Sequence, residues 1–317
     1  MNDVQKKYSH IYVEEAVWDA ADTLRLQSLF THAHFIQINS YKEIFNRSKQ
    51  DWREQKRSQK LILANREHSF LYPCSDIAPD FQHKNFYYTT PAINCLYDCS
   101  YCYLQGLYSS AYAVCFLNHQ DFFISVKKTL DSLGSLYLCI SYDTDLLAFE
   151  TIIPYCRLWI EFARQNPQLT IEVRTKSGNF SAIQDLVPCP NVILAWTLSP
   201  PSIQKCYEPL TPSLAARIKA VNKALDVGWN VRLCFDPMIW TPNLGNPYPE
   251  FLKEIQTQIE FARLYDLYFG VFRMNEDQLR NIQKQRSDTD ILYQAFTKEN
   301  KVVSYSKATN QQLRASV

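Results

Sequence analysis

From Asn85 onward, short apolar runs rich in aromatic and β-branched residues alternate with segments of helical periodicity. The predicted strands are Asn85–Ile93, Ser135–Tyr142, Leu169–Thr175, Val192–Leu198, Asn230–Asp236 and Leu267–Arg273. The predicted helices are Asp121–Leu133, Leu146–Gln165, Asn179–Leu186, Pro212–Val227, Tyr248–Tyr265 and one that begins at Glu276. Six strand–helix units in series indicate parallel strands in either a doubly wound sheet or an incomplete barrel. In both folds the active site forms at the carboxyl ends of the strands.

Residues 1–84 have a different pattern, which predicts a small N-terminal α/β lobe. Its predicted elements are strands at His10–Glu15, His34–Ile38 and Lys60–Ala64, and helices near Ala20–Phe30 and Tyr41–Arg53. The segment Pro73–Lys84 is predicted to link this lobe to a main body at residues 85–290. Residues 291–317 would then form a C-terminal extension.

The composition excludes several functional classes. Hydrophobic residues make up 46% of the chain and the net charge is +1, so we expect a folded globule with no general attraction to nucleic acid. No apolar run is long enough to span a membrane, and "MNDVQKKYSH" lacks the apolar core of a signal peptide. We therefore expect a cytoplasmic protein. The six glycines form neither a G-x-G-x-x-G loop nor a Walker A motif.

Three cysteines, Cys95, Cys99 and Cys102, lie in the segment "CLYDCSYCYLQG", directly after the first predicted strand. In a reducing cytoplasm, clustered cysteines more often bind metal than form disulfides. A structural zinc needs four ligands, and no second C-x2-C motif is present. Three closely spaced thiolates can instead bind three irons of a [4Fe-4S] cluster and leave the fourth iron open. A zinc-stabilised or DNA-binding protein without catalysis is the alternative.

This cysteine spacing, before a series of strand–helix units, resembles the radical S-adenosylmethionine (radical SAM) superfamily, in which the open iron binds SAM. Further segments resemble the spore photoproduct lyase family: "YCYLQG", "KLILA" with "FLYP", "TDLLAFE" and "YEPLTPSLAARIKAVNKALDVGW". The resemblance covers about residues 10–280. It implies a partial (β/α)6 TIM-type barrel of the radical SAM kind with a small N-terminal α/β lobe.

The resemblance also implies the chemistry. In that family a [4Fe-4S] cluster reduces SAM, and the resulting 5′-deoxyadenosyl radical takes a hydrogen from a methylene-bridged thymine dimer in ultraviolet-damaged spore DNA. The dimer fragments, a protein group returns a hydrogen, and the thymines are restored. The lesion must leave the base stack to reach a barrel interior. The implied partners are lesion-containing DNA and a reductant such as flavodoxin or ferredoxin, and we expect a monomer. The alternative is the same radical chemistry on another substrate.

The resemblance assigns roles to residues of the cysteine segment. Cys95, Cys99 and Cys102 match the ligands of the cluster. Tyr101 and Tyr103 match two tyrosines that are linked to SAM contact and to radical transfer.

Three residues at strand ends match positions near SAM. Lys176 matches a lysine that meets the SAM carboxylate, and Thr197 matches a serine close to SAM. Ser141 falls near another serine with a similar role. A solvated lysine and ordinary strand-end hydroxyl groups are the alternatives.

The position of the hydrogen donor departs from the family pattern. The spore enzymes place a donating cysteine three residues before an aspartate, whereas this chain reads "CISYDTD". If Asp145 is that aspartate, Tyr142 occupies the donor position, and this ungapped alignment is favoured. Cys139 is the donor only if three residues are inserted before Asp145. Because a tyrosine forms a different radical, the departure bears on whether the spore lesion is the substrate.

Other polar residues allow two interpretations each. The basic segment Arg47–Lys60 around Trp52 would contact phosphates or form a solvated helix face. Asp236 and Arg273 end the last two predicted strands and would contact substrate or pair with each other. The sequence beyond Arg280 gives no sign of the hairpin with which the spore enzymes hold the lesion strand.

Overall fold

The computed structural model describes residues 8–74, 81 and 83–316. These residues divide into two compact units: the described residues up to Leu96 with Tyr108–Val173, and Tyr97–Leu107 with the described residues from Arg174 onward. None of the described helices has the length and apolar character needed to cross a membrane. Most of the predicted linker, residues 75–80 and 82, lies outside the described residues. The boundaries at residues 84 and 290 remain predictions.

The strands and helices are short and numerous. The strands are β1 His10–Glu14, β2 His34–Ile38, β3 Leu61–Ala64, β4 Tyr72–Pro73, β5 Phe86–Tyr88, β6 Ala92–Ile93, β7 Ala113–Phe116, β8 Leu136–Cys139, β9 Leu169–Thr175, β10 Val192–Thr197, β11 Asn230–Met238, β12 Asp266–Val271, β13 Arg273–Asn275, β14 Thr297–Glu299 and β15 Val302–Ser304. The α-helices are Ala21–Leu29, Lys42–Phe45, Trp52–Arg57, Leu104–Leu107, His119–Leu133, Leu146–Phe149, Tyr155–Arg164, Pro201–Tyr207, Leu214–Val227, Tyr248–Gln258, Glu276–Gln285 and Lys307–Arg314. Single 3-10 turns occur at Glu15–Val17, Phe180–Ala182, Phe261–Arg263 and Asp290–Tyr293.

The barrel sheet has the strand order β12-β11-β10-β9-β8-β5-β4. Strands β5, β8 and β9 pair in parallel, and so do β10, β11 and β12. The short strand β4 pairs antiparallel with β5. The six predicted strands thus lie side by side in chain order, which confirms the partial (β/α)6 barrel.

The small lobe has a five-stranded sheet with the order β2-β1-β3-β7-β6. Strands β1, β2, β3 and β7 are parallel, and β6 is antiparallel to β7. The predicted single strand Asn85–Ile93 is wrong, because Phe86–Tyr88 pairs with β8 while Ala92–Ile93 pairs with β7. Sequence analysis missed β7, a fully buried run of four residues.

The basic segment Arg47–Lys60 contains a short helix, Trp52–Arg57, rather than the end of a long one. Lys49 has a positive φ of 57°, so the helix predicted near Tyr41–Arg53 does not continue through Lys49. The Trp52 side chain belongs to the buried core, so it packs inside the first unit and is not exposed for stacking on a base.

The C-terminal region contains a hairpin that sequence analysis did not predict. Strands β14 and β15 pair antiparallel, and β15 also pairs with β13. The turn residues Asn300 and Lys301 have φ values of 49° and 64°. Positive φ values at both positions give a two-residue turn a twist that matches the twist of the two flanking strands. The sequence signal is weak because lysine rather than glycine occupies the second turn position.

The predicted helix Leu146–Gln165 is divided in two. Its second part begins at Tyr155, directly after Pro154, because proline disfavours the helical conformation in the residue before it. The first part is the single turn Leu146–Phe149. The division leaves a short connection that contains Glu150.

The Glu150 carboxylate caps the helix Tyr155–Arg164. It accepts the backbone N–H groups of Cys156 at 2.7 Å and Arg157 at 2.9 Å, which have no partner within the helix. Burial raises the pKa of Glu150 to about 7, although these two hydrogen bonds act to lower it. The folded protein therefore holds this proton at pH values where an exposed glutamate has lost it.

We predict that Glu150→Gln removes a pH dependence of stability. Between pH 4.5 and about 7 the folded state binds more protons than the unfolded state, so the free energy of unfolding falls as the pH rises. The loss at neutral pH is at most about 3 kcal/mol. Urea unfolding at pH 5, 6, 7 and 8 measures the slope. Glu161→Gln, on the exposed part of the same helix, should retain it, and an unchanged slope in Glu150→Gln would contradict the prediction.

Candidate active site

The cysteine segment is a loop that follows β6 and ends in the short helix Leu104–Leu107. Cys99 is buried, Cys95 and Cys102 are half-buried, and none of the three forms a disulfide bond. The N–H of Cys102 donates to the carbonyl of Cys99 at 3.0 Å, which closes a tight turn between them. Among the described residues, no three His, Cys, Asp or Glu side chains lie close enough together to hold a single metal ion. Three cysteines in one loop nevertheless fit a [4Fe-4S] cluster, in which each thiolate binds its own iron.

The first cysteine is fixed through its backbone within the first unit. The carbonyl of Cys95 accepts hydrogen bonds from Lys56 and, at 3.2 Å, from Gln59. The Gln59 side chain also donates to the carbonyl of Ala111 at 2.7 Å. The basic segment therefore orders the start of the cysteine loop.

The rest of the loop is held by Arg286 within the second unit. The Arg286 guanidinium forms an ion pair with Asp98 and donates to the side chain of Gln105. Gln105 in turn donates to the carbonyl of Cys99 at 2.8 Å. Arg286 is 4% exposed, so this chain of contacts is shielded from water.

A glycine allows the helix Glu276–Gln285 to approach the loop. A Cβ atom on Gly106 would lie 2.3 Å from the carbonyl oxygen of Gln278. Asn281 also donates to the carbonyl of Gly106 at 3.1 Å. Only glycine permits this backbone-to-backbone contact.

A buried carboxylate, Glu208, lies at the centre of the second unit's polar contacts. It accepts hydrogen bonds from the hydroxyl groups of Tyr101 and, at 2.7 Å, of Ser199. It also forms a 2.6 Å ion pair with Arg217, and both side chains are at most 1% exposed. Burial would raise the pKa of Glu208, but Lys176, Arg217 and the two hydroxyl groups outweigh burial and lower it. The carboxylate is therefore ionised at neutral pH.

Two predicted SAM-binding residues lie beside this carboxylate. The Lys176 ammonium is 5.7 Å from the centre of the Tyr101 ring. Burial acts to lower the pKa of Lys176, but the negative charges of Cys99 and Glu208 outweigh it and raise the pKa. Thr197 is buried at the end of β10, and its carbonyl accepts from Arg217 at 3.1 Å. The second unit thus brings Cys99, Tyr101 and Lys176 together.

Tyr101 and Tyr103 differ in environment. Tyr101 is buried, and burial together with the charge of Glu208 raises its pKa well above the usual value. Tyr103 is half-buried, and its carbonyl accepts the N–H of Gly106 at 2.9 Å. The Tyr101 hydroxyl donates its hydrogen bond to the Glu208 carboxylate.

The first unit holds the remaining predicted residues at the end of β8. Cys139 is buried and shares a strand face with Tyr137, because side chains alternate along a strand. Cys139 lies opposite Glu172 in the register of the neighbouring strand β9. The Tyr137 hydroxyl donates to the Glu172 carboxylate at 2.7 Å. Cys139 thus lies on a polar face of the sheet.

Ser141 and Tyr142 follow directly after β8. The Ser141 hydroxyl is buried and has no hydrogen-bond partner among the described residues, which suits a position that receives a polar ligand. The Tyr142 ring stacks on Tyr88 at 4.1 Å, and Tyr88 stacks on Tyr72 at 5.0 Å. Burial, with Cys74 and Cys139 nearby, raises the pKa of Tyr142.

Comparison with known proteins gives a consistent result. A family model described as "Spore photoproduct lyase" matches residues 81–310. A curated "Spore photoproduct lyase" from Geobacillus sp. (strain Y412MC61) is 24% identical over 185 residues, which are 57% of this chain and 54% of that protein. The chain therefore matches about half the length of that relative.

Solved structures of spore photoproduct lyase have a similar fold. One is a double mutant with bound AdoMet and dinucleoside spore photoproduct, and another is the enzyme complexed with dinucleoside spore photoproduct. For each, the TM-score is 0.83 and the identity 18%, and the match covers 98% of this chain and 94% of the other.

We predict that Arg286→Met disorders the cysteine loop and lowers the iron content after anaerobic reconstitution. The substitution leaves the Asp98 carboxylate without its ion pair, and losing one partner of a buried pair costs about 3–5 kcal/mol. Iron per chain and visible absorbance measure the effect. The matched control is Arg280→Met, an exposed residue of the preceding helix, which should bind iron normally.

A second variant separates charge from packing at this position. Adding Asp98→Asn to Arg286→Met removes the unpaired charge and should recover part of the iron content. Normal iron content in Arg286→Met alone would show that Arg286 does not position the loop.

Proposed function

Because the chain belongs to the spore photoproduct lyase family, we propose that it is a radical SAM lyase that repairs spore photoproduct, a thymine lesion of DNA. The single observation that carries the proposal is the loop with three cysteines outside any disulfide, two of which flank a tyrosine next to Lys176. A cluster bound to Cys95, Cys99 and Cys102 would supply the electron that cleaves SAM into methionine and a 5′-deoxyadenosyl radical.

The chain's own residues would bind and orient SAM. Lys176 offers a positive charge to the SAM carboxylate, and the buried Ser141 hydroxyl offers a hydrogen bond. Glu208 holds the Tyr101 hydroxyl and attracts the Lys176 ammonium, so it positions both without touching SAM. Thr197 and Tyr103 would complete the surroundings of SAM. Burial of most of these groups excludes water from the radical.

We propose Cys139, rather than Tyr142, as the hydrogen donor. Cys139 ends a strand and shares its polar face with Tyr137 and Glu172. The Tyr142 ring is instead packed against Tyr88, where it would fix the shape of the site. The lesion is then returned to thymines by a thiol hydrogen, as in the spore enzymes, despite the three-residue insertion.

Lesion-containing DNA is the proposed partner. The hairpin β14–β15 carries Lys298 and Lys301 and is our candidate for the element that holds the lesion strand. A flavodoxin or ferredoxin would deliver the electron. We further propose that the protein acts as a cytoplasmic monomer.

The proposed function is tested on anaerobically reconstituted protein. We expect about four irons per chain, release of 5′-deoxyadenosine from SAM with dithionite, and conversion of dinucleotide spore photoproduct to thymidylyl-thymidine. Cys99→Ala should abolish all three, whereas Cys206→Ala, an exposed cysteine, should retain them. Stoichiometric zinc in place of iron would refute radical chemistry. SAM cleavage without conversion of the lesion would favour a different substrate.

The donor assignment predicts different outcomes for two variants. Cys139→Ala should cleave SAM but lower the yield of repaired dinucleotide by about a hundredfold or more, the scale of losing a positioned reacting group. Tyr142→Phe keeps the aromatic stack and should repair the lesion nearly as well as the wild type. The reverse result would assign the hydrogen to Tyr142. Product analysis by mass spectrometry in both variants, with SAM cleavage as the control, decides between them.

A further inference from the structure

The basic segment Arg47–Lys60 is attached to the first cysteine of the loop through its inner face. Trp52 and Lys56 lie one helical turn apart on that face, and both side chains are buried. The Lys56 ammonium is 5.8 Å from the centre of the Trp52 ring and donates to the carbonyl of Cys95. The segment is therefore in direct contact with the first proposed ligand of the cluster.

The outer surface of the segment carries positive charges. Arg47 and Lys49 are exposed, and Lys60 is half-buried. Arg47 donates to the backbone carbonyl of Glu43 at 2.8 Å, and Lys60 donates to two serine hydroxyl groups. Within the described part of the chain, none of these three basic side chains forms an ion pair with a carboxylate. Their contacts thus leave their charges in place.

The acidic residues of the segment do not cancel these charges. Glu54 pairs with Arg57, so the two contribute no net charge, and their side chains are 64% and 66% exposed. Asp51 caps the helix by accepting the N–H of Glu54 at 3.0 Å. Even without Arg53 and Lys56, three cations and one remaining carboxylate leave two positive charges in excess. This surface therefore attracts an anionic partner.

Two glutamines join the turn around Arg47 to the helix. Gln50 donates to the carbonyl of Arg47 at 2.8 Å and accepts a hydrogen bond from Gln55 at 2.6 Å. Gln55 in turn accepts the N–H of Ala111 at 2.7 Å. Arg47 and the helix Trp52–Arg57 are thereby held together as one surface of the first unit. A surface ordered in advance loses little entropy when a partner binds.

The chemistry of this surface favours a protein partner over a nucleic acid. Binding of single-stranded DNA combines positive charge with aromatic side chains on which bases stack. Trp52 is the only aromatic residue of the segment, and it is buried. Weak electron-transfer complexes instead use small surfaces of complementary charge. The contact with Cys95 is a second reason, because an electron carrier has to come close to the cysteines whose ligand it reduces.

We propose that Arg47, Lys49, Arg57 and Lys60 form the docking surface for an acidic electron-carrier protein of the flavodoxin or ferredoxin class. The proposal rests on the proposed function, which requires a reductant, and it places the docked carrier beside Cys95. Exposed charges steer the carrier to this surface and bind it weakly, so that it is released readily.

The test measures how oxidised bacterial flavodoxin and oxidised bacterial ferredoxin bind to the reconstituted protein in calorimetric titrations. The wild type should bind at least one of them, and more weakly as the salt concentration rises, because salt screens exposed charges. Arg47→Glu combined with Arg57→Glu should weaken this binding by about tenfold or more, since attractive contacts become repulsive. Oxidised carriers donate no electron, so the measurement does not depend on turnover.

The matched control is Lys127→Glu combined with Lys128→Glu. It reverses the same number of charges at exposed positions of the helix His119–Leu133 in the same unit, and it should bind the carrier as the wild type does. Equal weakening in the control would reduce the effect to overall charge and overturn the proposal. Unchanged binding in the Arg47 and Arg57 double variant would overturn it too, as would a wild type that binds neither carrier.

Two further measurements separate the proposal from DNA binding and from the proposed function. If the Arg47 and Arg57 double variant keeps the carrier but loses affinity for an undamaged DNA oligonucleotide, the surface contacts DNA and the proposal is refuted. Dithionite needs no docking surface, so the double variant should cleave SAM normally with dithionite and slowly with the reduced carrier. A wild type that cleaves no SAM with either reductant refutes the proposed function, whereas carrier binding decides the docking surface independently.

Discussion

The buried ion pair between Glu208 and Arg217 is the interaction on which the second unit's candidate site depends. Neither side chain is exposed by more than 1%, so removing either would leave a charge in a low-dielectric interior. Their mutual attraction is supplemented by hydrogen bonds that Tyr101 and Ser199 donate to Glu208. Arg217 in turn donates a hydrogen bond to the Thr211 hydroxyl. With its charge fixed in this way, Glu208 determines where the Tyr101 hydroxyl and the Lys176 ammonium lie.

The same principle recurs around the cysteine loop. Arg286 pairs with Asp98 and reaches Cys99 through Gln105, so a buried charge again orients a part of the backbone that must not move. This loop is therefore ordered by charged and amide side chains that form ion pairs and hydrogen bonds with one another.

Much of the fold could be predicted from the sequence because its signals are local. The sequence predicts the strand Leu169–Thr175 with its observed bounds because apolar and polar residues alternate along it. The predicted strand Val192–Leu198 differs from the observed one by one residue, and it is an almost continuous apolar run. Elements that depend on distant partners were missed. Strand β7 has only four residues and is stabilised by pairing with β3 and β6, and the hairpin β14–β15 has an unusual turn. The predicted helix Leu146–Gln165 is too long, because Pro154 separates the observed helices Leu146–Phe149 and Tyr155–Arg164.

By itself, the sequence determined the order of the barrel strands and the three thiols in one loop, since both depend on residue type and spacing along the chain. Only the tertiary structure decided the roles of Glu208 and Arg286. Glu208 lies in the segment "YEPL", and the neighbouring residues in the sequence do not indicate its role. Its partners Tyr101, Ser199 and Arg217 come from three separate parts of the chain. Buried charges require partners, and those partners are chosen by proximity in the folded chain rather than by spacing in the sequence.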